Sequence, residues 1–352
     1  MRREMGGWAG AKGEVGCCAA VFAGALIFAA STIGAQEATS LYGEHGVSPQ
    51  AVRQSGLRGA YFHATMASLA HAAPDHLKSE IIWNPRGWYE VHFSSGQDEE
   101  VFPDDVMYDK THGLDSSEGI WVLVLENAYA HREVREALTA GIQESASIPS
   151  YAKPFAVQSL NFSGRLLEAY ERAIRFVVGP DGKVDRDAFK AALASQFNAM
   201  GVPAAQAGML VGYLDDSKIF ERLANTVRRD GEIFGAGRAP GMGGLPVRVM
   251  ETFLGAAHQV LFSDQKSTLD SLRRLHRGGV AMVAGTWGSA PDGLAKSSWW
   301  VDAHAYSVLD YDETTKTVSL RNPWGKHPEP DGYFTVPLSV FLQGFESCTL
   351  SD

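Results

Sequence analysis

Cysteine is scarce in this chain, with three among 352 residues. Cys17 and Cys18 lie inside the N-terminal apolar stretch, so a chain trimmed of that stretch keeps Cys348 alone. A lone thiol excludes an internal disulfide and a cysteine-based zinc site, and no HExxH pair or paired-cysteine spacing exists elsewhere. Positive charge is also in deficit: 31 Lys and Arg stand against 41 Asp and Glu, a formal charge of -10, with no basic run. That balance excludes a nucleic-acid surface. After residue 35 no apolar run is long enough to cross a bilayer. What remains is ordinary globular material, 45% hydrophobic and 10% aromatic, enough for one large two-lobed domain or two smaller ones.

The N-terminus begins with Arg2 and Arg3, then carries the uncharged run GCCAAVFAGALIFAASTIGA (16–35), followed by polar QEATS. A basic start, an apolar middle and small residues at the end describe an export signal over residues 1–35, cleaved after Ala35. The alternative is an uncleaved anchor, the only route by which this chain would meet a membrane. The expected localisation is therefore secreted or periplasmic, or else anchored by this segment.

Residues 36–150 open with an irregular lead-in. AYFHATMASLAHAAP then places Phe62, Met66, Leu69 and Ala70 at helical spacing. DHLKSEII reads as a short helix, WYEVHFSS and EEVFPDDVMYD as a strand hairpin, and SEGIWVLVLENAYAHREVREAL as a long helix. From 151 to 240 come amphipathic helices in series, a helical insertion ending in GAGRAPGMGGLP. Within it GPDGKVDRDAFKAAL is similar to a calcium loop, but Lys183, Arg186 and Ala192 occupy places that need a ligand, a glycine and a bidentate Glu. A polar turn capping the next helix is the reading. Residues 241–352 supply a helix over 267–277 and strands at GGVAMVAGTW, HAYSVLDYD and TVSLRNPWG. Strands that follow helices, rather than alternating with them, predict an α+β fold in separate lobes.

Three motifs stand in one order: QSGLRGAYFHATMASL (54–69), AHAYSVLDYD with His304, and LRNPWG with Asn322. Together they resemble the calpain-like branch of the papain-superfamily cysteine proteases, which carry a QGxLGDCW-type loop and helix, a GHAYSV strand and an RNPWG strand. WVLVLENAYA, HFSSGQDEEVFPDDVM and LRRLHRGGVAMVAGTW extend the likeness, which runs from about residue 45 to the C-terminus around an unmatched helical insertion. The resemblance implies a papain-like two-lobed fold, a helical lobe plus a β lobe, acting on peptide or protein substrates. In such a site a cysteine at a helix N-terminus is activated as thiolate by the helix dipole and an imidazole. A His acts as base and then acid, an Asn orients it, and a Gln side chain completes an oxyanion hole.

Carried over residue by residue, Gln54 takes the oxyanion-hole position, His304 the base and Asn322 the orienter, with Trp324 covering the His–Asn pair. Taken singly, a strand His is usually a core or surface residue and an Asn before Pro a turn; their order and context favour the site. The nucleophile position falls on Ala60, and a methyl group cannot attack a carbonyl. Cys348 belongs to the terminal strand, and Ser55 and Thr65 stand in the wrong places to replace it. The flanking Arg58-Gly59 departs from the pattern as well, which favours natural loss over a deliberate substitution. No cofactor is required. Calpain cores bind calcium, and Glu126 in LENAYA matches one ligand, but the acidic residue expected three places before Gln54 is Ala51. The loops holding Asp292, Asp302 and Asp310 do not align with a second calcium site, so weak or no calcium dependence is expected. Two functions follow: an exported endopeptidase core inactive as written, or a non-catalytic module holding a peptide or protein partner in the same cleft, between Trp299, Trp300 and residues 241–246. The insertion as the functional surface is a third.

Overall fold

The structure, a computed structural model, describes residues 41–352 apart from 56–58, 97, 112–116, 161–163, 180–182, 231–243, 292, 295–296 and 328. The signal at 1–35, Arg58, Asp181, Asp292 and residues 235–243 of the glycine-rich stretch lie outside the described residues. Two central helices organise the first half. Helix α1 (Ala60–Ala72) is alanine-rich and buried from Ala60 to Ala70, and α2 (Pro74–Glu80) follows it with proline in its first turn. Strands β1 (Ile81–Asn84), β2 (Trp88–His92) and β3 (Asp98–Val101) then form an antiparallel meander. Helix α3 (Pro103–Thr111) leads to α4 (Trp121–Glu144), the longest element and buried along most of its length.

The insertion is helical as expected: α5 (Lys153–Leu160), α6 (Gly164–Val177), α7 (Arg186–Ala199), α8 (Ala204–Gly212) and α9 (Ser217–Asp230). Asp185 caps α7 by accepting the Ala188 N–H at 2.7 Å, the polar turn that the sequence favoured over a calcium loop. Helix α9 lies against α4 so closely that a Cβ on Gly141 would stand 2.5 Å from the Ile219 Cα. The return segment forms α10 (Pro246–Leu254) and β4 (Ala257–Leu261), then α11 (Gln265–His276), β5 (Met282–Thr286), β6 (Ala305–Asp312), β7 (Thr317–Arg321), β8 (Tyr333–Pro337), α12 (Leu338–Gly344) and β9 (Phe345–Ser351). The second sheet is antiparallel in the order β4-β9-β5-β6-β7-β8, so the last strand enters next to the first and closes the middle.

The fold is thus α+β with two sheets. Apolar burial divides into two cores, one built mainly from residues 47–254 and one from 262–350. Both belong to one compact unit, Thr39–Asp352. The sequence division at 241 shifts, because α10 gives Val249, Met250 and Phe253 to the first core, where Phe253 meets Phe62 and Phe93 edge-on. The segment FPDDVMYD, read as strand, is α3: Pro103 opens it and Asp104 and Asp105 sit in its first turn. Ile81 and Ile82, read as the end of a helix, begin β1.

The two halves join through α1. Ser68 Oγ donates to the Met282 carbonyl at 2.9 Å and accepts the Met282 N–H at 2.7 Å. Four residues earlier, the Ala64 carbonyl accepts from Ser307 Oγ at 2.7 Å. Stepping back along α1 from Ser68 to Ala64 therefore advances from Met282 toward the start of β6, where His304 stands. None of the described helices is long and apolar enough to cross a membrane.

Candidate active site

His304 immediately precedes β6, and its ring is almost wholly buried. Its backbone is clamped from both sides: Thr286 Oγ1 accepts the His304 N–H at 2.9 Å, and the Thr286 N–H donates to the His304 carbonyl at 2.9 Å. Nε2 of the imidazole lies 3.0 Å from Asn322 Oδ1, with Asn322 fully buried. An amide oxygen only accepts, so the proton of this bond sits on Nε2 and Nδ1 carries the lone pair. Tyr306 meets the ring edge-on at 4.9 Å between centroids, and Trp324 lies over it at 5.0 Å and 52°. The Trp324 N–H also donates to Asn322 Oδ1, at 3.0 Å, which fixes the indole above the pair.

The turn carrying Asn322 is held on its far side by Gly332. Its φ is +77°, and a Cβ there would fall 2.6 Å from the Asn322 carbonyl oxygen, so only glycine lets the Asn322 N–H reach the Gly332 carbonyl at 2.9 Å. Gln54 arrives from the opposite half. Its backbone N–H donates to the Pro323 carbonyl at 2.8 Å, and Arg321 Nη2 donates to the Val52 carbonyl at 2.6 Å. Residues 52–54 therefore run alongside 321–323, and six residues after Gln54 the chain enters α1 at Ala60. The structure brings Gln54, His304, Asn322 and Trp324 into one place, at the end of β6 toward which the N-terminus of α1 points.

Ala60 is buried and begins α1, whose N-cap Gly59 offers no side-chain hydrogen bond. The next residue, Tyr61, is overlain by the segment returning from the insertion: a Cβ on Gly244 would stand 1.8 Å from the ring. Thr65 points its hydroxyl at its own helix, donating to the Tyr61 carbonyl at 2.7 Å. Cys348 lies in β9, where burial pushes its thiol up to about 12. Neither Thr65 nor Cys348 is placed to act as a substitute nucleophile at Ala60.

Glu126 is fully buried in α4. Among the described residues it joins no group of three metal-ligating side chains. Ala51 is buried too; Asp302 accepts from Trp300 Nε1 at 2.6 Å, and Asp310 pairs with His276 at 2.9 Å. Trp299, read from sequence as a cleft wall, is half-buried and stacks on Phe345 and Phe334 with ring planes 5° and 21° apart, against the second core. Thr286, Tyr306 and Arg321 escaped the sequence reading. Tyr306 was accessible to it, since residues two apart on a strand share a face.

No family model matches the chain, and no curated protein matches it. Among solved structures the chain is similar to PepW from Lactobacillus rhamnosis HN001, at 10% identity over 90% of this chain and 82% of that one. The TM-score is 0.31, too low to carry any argument about fold or function.

Proposed function

We propose that this chain is a calpain-like cysteine-peptidase core whose nucleophile position is filled by Ala60, so that it does not hydrolyse peptide bonds. On this reading the fold is the papain-like two-lobed one, with residues 151–240 as an added helical insertion, and the leader at 1–35 directs export. The observation that carries the reading is the His304 Nε2–Asn322 Oδ1 bond of 3.0 Å beneath Trp324, assembled beside Gln54. That arrangement leaves Nδ1 as the basic nitrogen, the one a thiol on residue 60 would need. With a methyl group there, the surviving donors serve for holding an extended peptide or protein segment. Calcium is given no part in this reading, because the acidic residue expected three places before Gln54 is Ala51.

Ala60→Cys tests this. The restored thiol is expected to alkylate with iodoacetamide faster than a free cysteine at neutral pH and to cleave casein, with both lost on adding His304→Ala. The unmodified chain serves as control, since Cys348 is buried with its thiol pushed up to about 12 and stays unlabelled while folded. A folded Ala60→Cys protein that neither cleaves nor reacts faster than a model thiol would overturn the reading.

A further inference from the structure

The insertion is fastened to the core by charge. On α6, Arg165 pairs with Asp104 and Asp105, Arg172 with Asp105 and Glu168, and Arg175 with Asp109 and Glu171. Four of these carboxylates, Asp105, Asp109, Glu168 and Glu171, are buried, whereas Asp104 is half exposed to solvent. Buried carboxylates gathered this closely favour a cation or protons among them.

His131 of α4 faces the gap. It is fully buried, with Nε2 at 3.3 Å from Glu168 Oε2 and 3.9 Å from Glu171 Oε2. Each glutamate gives its other oxygen, Oε1, to an arginine, Glu168 to Arg172 and Glu171 to Arg175. On the opposite side of the ring, Nδ1 lies 3.2 Å from the Glu100 carbonyl, which accepts and so holds a proton there. That is how proteins present the other imidazole nitrogen, lone pair outward, to a metal. A proton on Nε2 would reach one carboxylate oxygen and fall short of the second, whereas an ion among the three atoms, which all lie within 4.8 Å of one another, meets them all. One turn before His131 on the same face of α4 stands Asn127, fully buried, with both atoms of its amide lacking a hydrogen-bond partner. A buried amide left in that state marks a ligand or water that belongs nearby.

We propose that His131, Glu168 and Glu171 form a structural site for a borderline divalent cation, zinc by ligand type, joining α6 of the insertion to α4. Imidazole with two carboxylates suits zinc, iron(II) or manganese(II), and their usual bond lengths of about 2.0–2.2 Å need only a small inward movement of the two glutamates. A double positive charge would offset the buried carboxylates gathered there. The site is sealed from solvent, so the ion enters as the chain folds and stabilises rather than catalyses. This inference is independent of the peptidase reading.

The test uses the full chain. After refolding with Zn2+ and gel filtration, elemental analysis is expected to find one equivalent per chain, and a chelator such as dipicolinate to lower Tm. His131→Gln and Glu171→Gln are each expected to weaken retention more than the about 10–100-fold seen for outer-shell changes, and to remove the chelator effect. Should either variant fail to fold, Co2+ in the unmodified chain decides: one paramagnetically shifted, slowly exchanging imidazole N–H is expected, from Nδ1 of His131. Less than about a tenth of an equivalent of Zn2+, Mn2+ or Fe2+ with Tm indifferent to chelator, or bound Co2+ without that signal, overturns the site. The buried carboxylates would then be offset by protons on His131 and on Asp105, whose carboxyl burial and the neighbouring Glu168 push well above the usual range.

Discussion

Asn322→Ala probes the candidate site without any need for a nucleophile. Asn322 Oδ1 accepts two hydrogen bonds, from His304 Nε2 and from the Trp324 N–H, both at 3.0 Å. Truncation strands both donors. The Trp324 N–H is only partly buried and can recover water, so its loss costs about 1 kcal/mol, whereas the buried imidazole N–H cannot and costs about 2 kcal/mol. The expected total is about 3 kcal/mol, a large part of the stability of a typical domain. His304→Ala alone removes the same bond together with the ring packing against Tyr306 and Trp324, about 2–4 kcal/mol.

The decisive quantity is the coupling between them. With His304 absent, Asn322→Ala should cost only the Trp324 share, so the double variant is expected to be more stable than the sum of the singles predicts by about 2 kcal/mol. Urea unfolding at fixed pH, followed by tryptophan fluorescence and far-UV circular dichroism, measures all four corners of the cycle. Unchanged m-values would confirm that stability and not the unfolded state has moved. A coupling within about 0.5 kcal/mol of zero would show that the His304–Asn322 bond does not form, and the site assembled around it would fall with it.

Two further outcomes follow from single residues. Ala303, just before His304, has φ of +47°, a left-handed backbone costing about 1–2 kcal/mol for a residue with a Cβ. Ala303→Gly should therefore stabilise by about 0.5–1 kcal/mol after glycine's greater unfolded-state entropy is subtracted, and destabilisation of that size in urea would refute the strain. Glu80 is buried on α2, and burial raises its carboxyl to about 9, opposed only by the Ser94 backbone. His76 lies 3.3 Å away, but its Nε2 is closer to the Phe253 carbonyl, at 2.7 Å, and is directed there. A carboxyl protonated when folded and ionised when unfolded stabilises fully below the unfolded value. That contribution is lost progressively as pH rises from about 5 to about 9. Glu80→Gln should leave stability at pH 4 nearly unchanged and raise it by about 2 kcal/mol at pH 8; equal effects at both pH values would count against a protonated Glu80.

The elements with strong periodicity were legible in the sequence, and so was the meeting of His304 with Asn322 and Trp324, because motif order needs no tertiary information. What escaped depends on partners far along the chain. AHQVL (257–261) is too short to announce a strand, and it becomes β4 by pairing with β9 at the other end of the chain. Helix α3 was misread although its signals were present: a proline at its start, acidic residues in the first turn, and Asp105 and Asp109 one turn apart. Arg165, Arg172 and Arg175 recur on α6 at spacings that match, but nothing local says that the two rows meet in a buried network.

The site's geometry does not require catalysis to persist. Asn322 holds its own turn by accepting from Trp324, and Gly332 locks that turn from behind. Arg321 is fully buried, burial lowers its guanidinium to about 10, and it gives Nη2 to the Val52 carbonyl, tying the Gln54 segment to β7. Thr286 clamps His304 through the pairing of β5 with β6. Each of these residues therefore holds backbone as well as facing the site, and replacing any of them costs stability. Residue 60 is different. Alanine is the best intrinsic helix former, it fits the buried start of α1, and it makes no side-chain hydrogen bond that the fold would miss. On the proposed function, loss of a nucleophile at residue 60 is then a change that the fold tolerates at little cost. It also follows that restoring a thiol at residue 60 should leave the fold intact, adding one buried sulfur at a cost of no more than about 1–3 kcal/mol if the pocket is tight.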